Sequence, residues 1–204
     1  DRVSRGLGDV YKRQQYTQLI ARRIRELNVY CEIHPWNKAP EMGSDIVGVI
    51  LSGSPFSVLD EASPKPDLSN IKGKLPLLGV CFGAQFLAEN HGGKVLPSST
   101  REYGRAILSK VDNQYAISKD LSVDSQVWMS HGDTIKEVPE HYKIFASTEK
   151  VEVAGYVIEG EQTFGVQFHP EVYHSTEGKI LIKNFVIDIC GCSGDWTPDS
   201  FVDE

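Results

Sequence analysis

Gly79-Val80-Cys81-Phe82-Gly83 sets a cysteine between an apolar run and a helical pattern, with a glycine two residues to either side. Glycine tolerates a tight turn and lets backbone segments approach closely. The pattern is the thiol counterpart of the G-x-S-x-G nucleophile elbow, which exposes its nucleophile at the end of a strand. It also places Cys81 at the positive N-terminus of the following helix, where a thiolate is favoured. An isolated cysteine is more often a buried structural thiol, but here the whole turn pattern accompanies it.

A thiolate that attacks a carboxamide needs a base that can later act as acid toward the leaving ammonia. Phe168-His169-Pro170-Glu171 supplies one at the end of a second apolar run. Proline biases its predecessor toward extended geometry, so His169 is expected to continue the strand. Alternation then puts His169 and Glu171 on one side, where Glu171 can fix the imidazole tautomer. His131, in Trp128-Met129-Ser130-His131-Gly132-Asp133, has a compact, turn-like setting that could shape a pocket. His34, His91, His141 and His174 read as ordinary surface or helix-end residues. Cys31, Cys190 and Cys192 read as reduced, partly buried thiols, and a single Cys-Gly-Cys is not a zinc pattern.

The elements that must hold these residues alternate. Apolar spacing predicts a helix over 15–27, then strands over 29–33, 46–51 and 75–80. A helix over 82–90 follows, ending at Gly92-Gly93 as suits a left-handed cap. Residues 94–158 carry shorter β-like pieces at 106–111, 127–129, 143–146 and 153–158. A buried strand at 163–168 and an amphipathic helix at 175–190 close the pattern, and 60–74 reads as a surface loop. Continuous apolar strands alternating with helices imply an α/β fold with a mostly parallel open sheet, helices on both faces, and a small antiparallel β region. Residues 1–14 hold no strand-like apolar run and read as a non-native segment; 15–192 reads as the domain.

Composition narrows the class. The 204 residues suffice for one packed domain, with 40% hydrophobic and 24% charged residues in the ordinary globular range. The apolar runs are far shorter than a membrane span, no export signal is visible, and a cytoplasmic location is expected. A net charge of -7 argues against a nucleic-acid partner, which calls for a basic face.

Three motifs in this order, G-V-C-F-G-A-Q at 79–85, S-H-G-D at 130–133 and G-V-Q-F-H-P-E at 165–171, resemble the class I glutamine amidotransferases. The resemblance implies a flavodoxin-like three-layer fold and a Cys81-His169-Glu171 triad that releases ammonia from L-glutamine through a γ-glutamyl thioester. It also implies an oxyanion hole from the backbone N–H groups of Ser54 and Phe82, and substrate contacts from Gln85, Ser130, His131 and Gly132. It implies no metal and no cofactor in this domain. Q-Y-T-Q-L-I-A-R-R-I-R-E-L at 15–27 and the C-G-C…W-T-P ending at 190–198 resemble one branch of the family. In that branch an ATP pyrophosphatase domain, using ATP and Mg, follows in the same polypeptide and converts xanthosine monophosphate to GMP. Residues 193–204 would then begin the linker, and the full-length enzyme would be a homodimer. An amidotransferase of another pathway and a non-catalytic copy are the alternatives. Two departures stand out. Gly53-Ser54-Pro55 replaces a Gly-Gly-Pro turn, which strains Ser54 if positive φ is needed. The family's opening strand and its D-F-G-S turn are also expected before residue 15, and residues 1–14 match neither.

Overall fold

The computed structural model describes residues 2–6 and 14–201. Among them, nine strands form one sheet in the order β2-β1-β3-β4-β9-β8-β7-β5-β6. The parallel half comprises β1 (Arg2–Gly6), β2 (Tyr30–His34), β3 (Ile46–Leu51), β4 (Leu77–Val80) and β9 (Thr163–Val166). The other half, β8 (Gly155–Ile158), β7 (Tyr142–Thr148), β5 (Lys94–Val111) and β6 (Gln126–Glu137), is antiparallel and joins the first through the β8–β9 pair.

Alternating side chains feed two cores. Leu77 of β4 packs with the helix α2 (Phe82–Glu89), among Phe82, Ala84, Phe86 and Leu87. Its neighbour Leu78 points the other way. There it meets Ile20 and Ile24 of α1 (Gln14–Arg25), together with Leu181 and Phe185 of α3 (Gly178–Lys183) and the π-turn that continues it (Asn184–Ile189). Helices therefore cover both faces, as the apolar strands require. α2 ends at Glu89 with Asn90 as its cap at φ -87°, and the chain turns to positive φ two residues further on, at Gly92 with φ 95°. No helix among the described residues is long and apolar enough to cross a membrane.

Several expectations are corrected. Residues 2–6 do form a strand, seated between β2 and β3 with Arg2 opposite both Tyr30 and Ile46. A parallel ladder is made of backbone groups, so a slot between two strands can be filled by a segment with no apolar run. Residues 7–13 of the same N-terminal stretch lie outside the described residues. β5 and β6 are far longer than the short pieces expected, because their partly polar sequences are held by pairing with each other rather than by burial alone. His131 consequently sits within a strand and not in a turn. β9 stops at Val166, and Phe168 instead bridges to Met129 of β6. The last helix begins at Gly178, three residues later than its apolar spacing suggested.

Candidate active site

Cys81 occupies the turn between β4 and α2 with φ 54° and ψ -105°, a conformation that costs about 1–3 kcal/mol for a non-glycine residue. Two backbone bonds hold it there. Its N–H donates to Val166 O at 2.8 Å, and its carbonyl accepts from Gln85 N at 3.0 Å as the first bond of α2. The flanking glycines are required by close approach. A Cβ on Gly79 would lie 2.6 Å from the carbonyl carbon of Gly83, and one on Gly83 would lie 2.5 Å from Leu51 O. The G-x-C-x-G pattern thus folds as the strained elbow it predicts.

His169 arrives from the other side. Its N–H donates to Trp128 O at 2.9 Å, and its carbonyl accepts from the Ser175 hydroxyl at 2.6 Å. The Nδ1–H donates to Glu171 Oε1 at 2.6 Å, in a pair almost wholly removed from solvent. That contact fixes the tautomer and leaves Nε2 with its lone pair, without a hydrogen-bond partner among the described residues. Burial opposes charge on the imidazole, yet the Glu171 carboxylate and a Cys81 thiolate outweigh it and raise the proton affinity well above the usual histidine range, so the proton that leaves the thiol is held on Nε2. At rest the Cys81 thiol is directed at Ser130 O, 3.6 Å away. Gly53 fits beside both partners: a Cβ there would lie 3.5 Å from the His169 ring and 3.9 Å from Cys81 Cβ. The arrangement is that of a nucleophile, a base and an orienting carboxylate.

The other expected residues surround this centre. Ser54 is buried beside Gly53, and it is absent from the non-glycine residues with positive φ, so the strain expected of it does not arise. Phe82 opens α2, and its N–H belongs to the first turn, whose N–H groups lack partners within a helix. Gln85 is buried and donates its amide to Asp133 O at 2.9 Å and to Gln167 Oε1 at 3.2 Å, tying α2 to β6. Ser130, His131 and Gly132 run along β6 past the thiol.

Comparison with known proteins decides the family. The model for "Glutamine amidotransferase class-I" matches residues 8–189. The chain belongs to the class I glutamine amidotransferase family. Among curated relatives of this amidotransferase, GMP synthase [glutamine-hydrolyzing] of Cytophaga hutchinsonii is 63% identical over 189 residues, covering 93% of the chain and 37% of the relative. The protein of the same name from Porphyromonas gingivalis is 55% identical with the same coverage. The chain thus spans little more than a third of the length of these relatives. A Thermoplasma acidophilum protein, assigned as one component of a GMP synthase, superposes with a TM-score of 0.75 at 27% identity, covering 93% of this chain and 94% of that one. A glutamine amidotransferase from Thermotoga maritima shares the fold, with a TM-score of 0.66 at 21% identity over 95% of this chain and 86% of that one.

Some residues that shape the amidotransferase site escape a motif search. Tyr16 of α1 stacks on the His169 ring with centroids 4.6 Å apart. Arg23 of the same helix donates Nε–H to the Glu171 carbonyl at 3.0 Å. The two residues are seven apart, two helical turns, so they lie on one stripe with core residue Ile20. That spacing is present in the sequence, but an apolar pattern has no place for a tyrosine and an arginine. Ser175 is a third case: it receives Trp128 N–H at 3.0 Å while donating to His169 O, and so locks the two ends of the histidine's loop.

Proposed function

We propose that this domain hydrolyses L-glutamine to glutamate and ammonia, and that the ammonia passes to a synthetase domain of the same polypeptide that converts xanthosine monophosphate to GMP. The observation that carries the first half is the strained Cys81 elbow facing the tautomer-fixed His169. The second half is supported by the names of the longer relatives. Residues 15–192 form the body of the amidotransferase domain and residues 193–204 begin the linker; residues 1–14 are a non-native segment whose residues 2–6 fill the slot between β2 and β3. ATP and Mg are used in the synthetase domain, and the full-length enzyme works as a cytoplasmic homodimer.

The chemistry follows from the atoms in place. The Cys81 proton moves to His169 Nε2 as sulfur attacks the side-chain amide carbon. The N–H groups of Ser54 and Phe82 receive the oxyanion, which is worth a few kcal/mol when two donors are preorganised. Gln85 and the Ser130–Gly132 stretch of β6 position the substrate. His169 returns its proton to the departing nitrogen, ammonia leaves, and a γ-glutamyl thioester remains on Cys81. Water then gives a proton to Nε2 as it attacks the thioester carbon, and the thiolate leaves and is reprotonated as glutamate departs. Glu171 holds the ring through both halves and keeps its own charge.

Coupling is tested with amide-15N glutamine supplied to the domain together with an ATP pyrophosphatase domain of a GMP synthase, ATP, Mg and xanthosine monophosphate. The expected outcome is 15N in the GMP amino group and glutamate release that rises when the partner and both substrates are present. Glutamate release indifferent to the partner, with no label in GMP, would contradict the proposed acceptor.

A further inference from the structure

Beside the triad lies a second buried acid–base pair. Glu102 of β5 and His131 of β6 are opposite residues in the antiparallel ladder. Their side chains are 9% and 2% exposed, and Glu102 Oε2 stands 3.3 Å from His131 Nε2. Neither atom makes a properly oriented hydrogen bond to any described residue. The other end of the imidazole is committed, because Nδ1 lies 2.6 Å from Asp133 O. A carbonyl only accepts, so Nδ1 carries the hydrogen and Nε2 of the neutral ring is an acceptor. Burial supports that neutral form, lowering the His131 pKa to about 4 against the opposing pull of the Asp133 carbonyl. Nε2 therefore faces an oxygen and needs a donor. A carboxylate has none; a carboxylic acid has one.

The segment that His131 belongs to is the one the chemistry uses. Ser130 O accepts the Cys81 thiol, and Asp133 O accepts both the His131 Nδ1–H and the Gln85 amide. We propose that Glu102, in its protonated form, is a positioning residue that donates Oε2–H to His131 Nε2 and thereby fixes the Ser130–Asp133 stretch against Cys81 and Gln85. Ionisation of Glu102 sets two acceptors face to face at 3.3 Å and releases that stretch. Burial favours the acid form of Glu102, opposed by Lys136 on β6 and Lys150 on the β7–β8 loop. The groups acting on His131 are Asp133 on its own strand and His169 across the site. Glu102 also lines a half-open pocket of about 310 Å³ with Tyr103, Arg105, Met129 and Lys150, which gives solvent protons a route to it.

The inference rests on the glutaminase reading, and the test separates the two. Glutamate release is measured across pH for wild type, Glu102→Gln and Glu102→Ala, and Cys81 alkylation by iodoacetamide is followed in the same three proteins. An amide donates to Nε2 at every pH, so Glu102→Gln is expected to match wild type in acid. It should exceed wild type by about tenfold in kcat/KM once Glu102 ionises, the value of one buried hydrogen bond. Glu102→Ala should be about tenfold slower than Glu102→Gln at every pH, should converge on wild type once Glu102 ionises, and should shift the alkylation rate, which Glu102→Gln leaves unchanged. A Gln-to-wild-type ratio that stays constant with pH, or a glutamine variant as impaired as the alanine one, overturns the assignment. Wild type that releases no glutamate while its Cys81 still alkylates defeats the glutaminase reading instead.

Discussion

Cys81→Ala is expected to bring glutamate release down to background, a loss of about 10⁴-fold or more, because no other group on the site can form the thioester. The fold should survive. Both hydrogen bonds that anchor the elbow are made by the backbone of residue 81, so alanine keeps them. Alanine also carries a Cβ and inherits the same strained φ, leaving only the sulfur's packing to be lost, on the order of 1 kcal/mol. Glutamate assay and thermal melting of the two proteins check the prediction together. Residual turnover within about a hundredfold of wild type would remove Cys81 from the nucleophile role.

The second large effect separates the base from its orienter. His169→Ala should cost about as much as the loss of Cys81, since thiol and imidazole act as one unit. Glu171→Ala should be milder, by about ten- to a hundredfold, because Glu171 holds the ring and moves no proton. Its loss also changes the ring itself. Burial opposes protonation of His169, and the Glu171 carboxylate is the strongest of the influences that raise its proton affinity. In Glu171→Ala the imidazole pKa should therefore fall, visible by 15N NMR of the His169 ring as protonation confined to lower pH. An order of kcat in which Glu171→Ala is worse than His169→Ala, or an unchanged His169 titration, would overturn these roles.

Much of this site is legible in the sequence because its demands are local. A strained turn that packs against β3 admits only glycine at 79 and 83, and that need is written as G-x-C-x-G. His169 and Glu171 meet because two residues of chain bring them together. Three strands of the sheet's parallel half, β3, β4 and β9, show in their apolar runs, since strands covered on both faces have few polar positions.

What stays hidden depends on contacts between distant segments. β1 is held by backbone pairing on both sides, which leaves no side-chain pattern to read. β5 and β6 run through polar and charged residues such as Glu102, Arg105 and Asp133, so alternation breaks where the site and the surface both claim positions. His131 reads as a turn residue for that reason: Ser-His-Gly-Asp is turn-like in composition, and only its partner strand makes it extended. Tyr16 and Arg23 act on His169 and Glu171 from the far end of the chain, a separation that no local pattern spans.

The central claim is that Cys81 becomes covalently joined to the γ-carbonyl side of glutamine. A glutamine-shaped diazoketone, 6-diazo-5-oxo-L-norleucine, reports on it directly by peptide mass mapping, and protection by glutamine shows that the two share one pocket. The account predicts a single adduct on the peptide bearing Cys81, suppressed by excess glutamine. An adduct on another residue, or no adduct at saturating reagent, would contradict it.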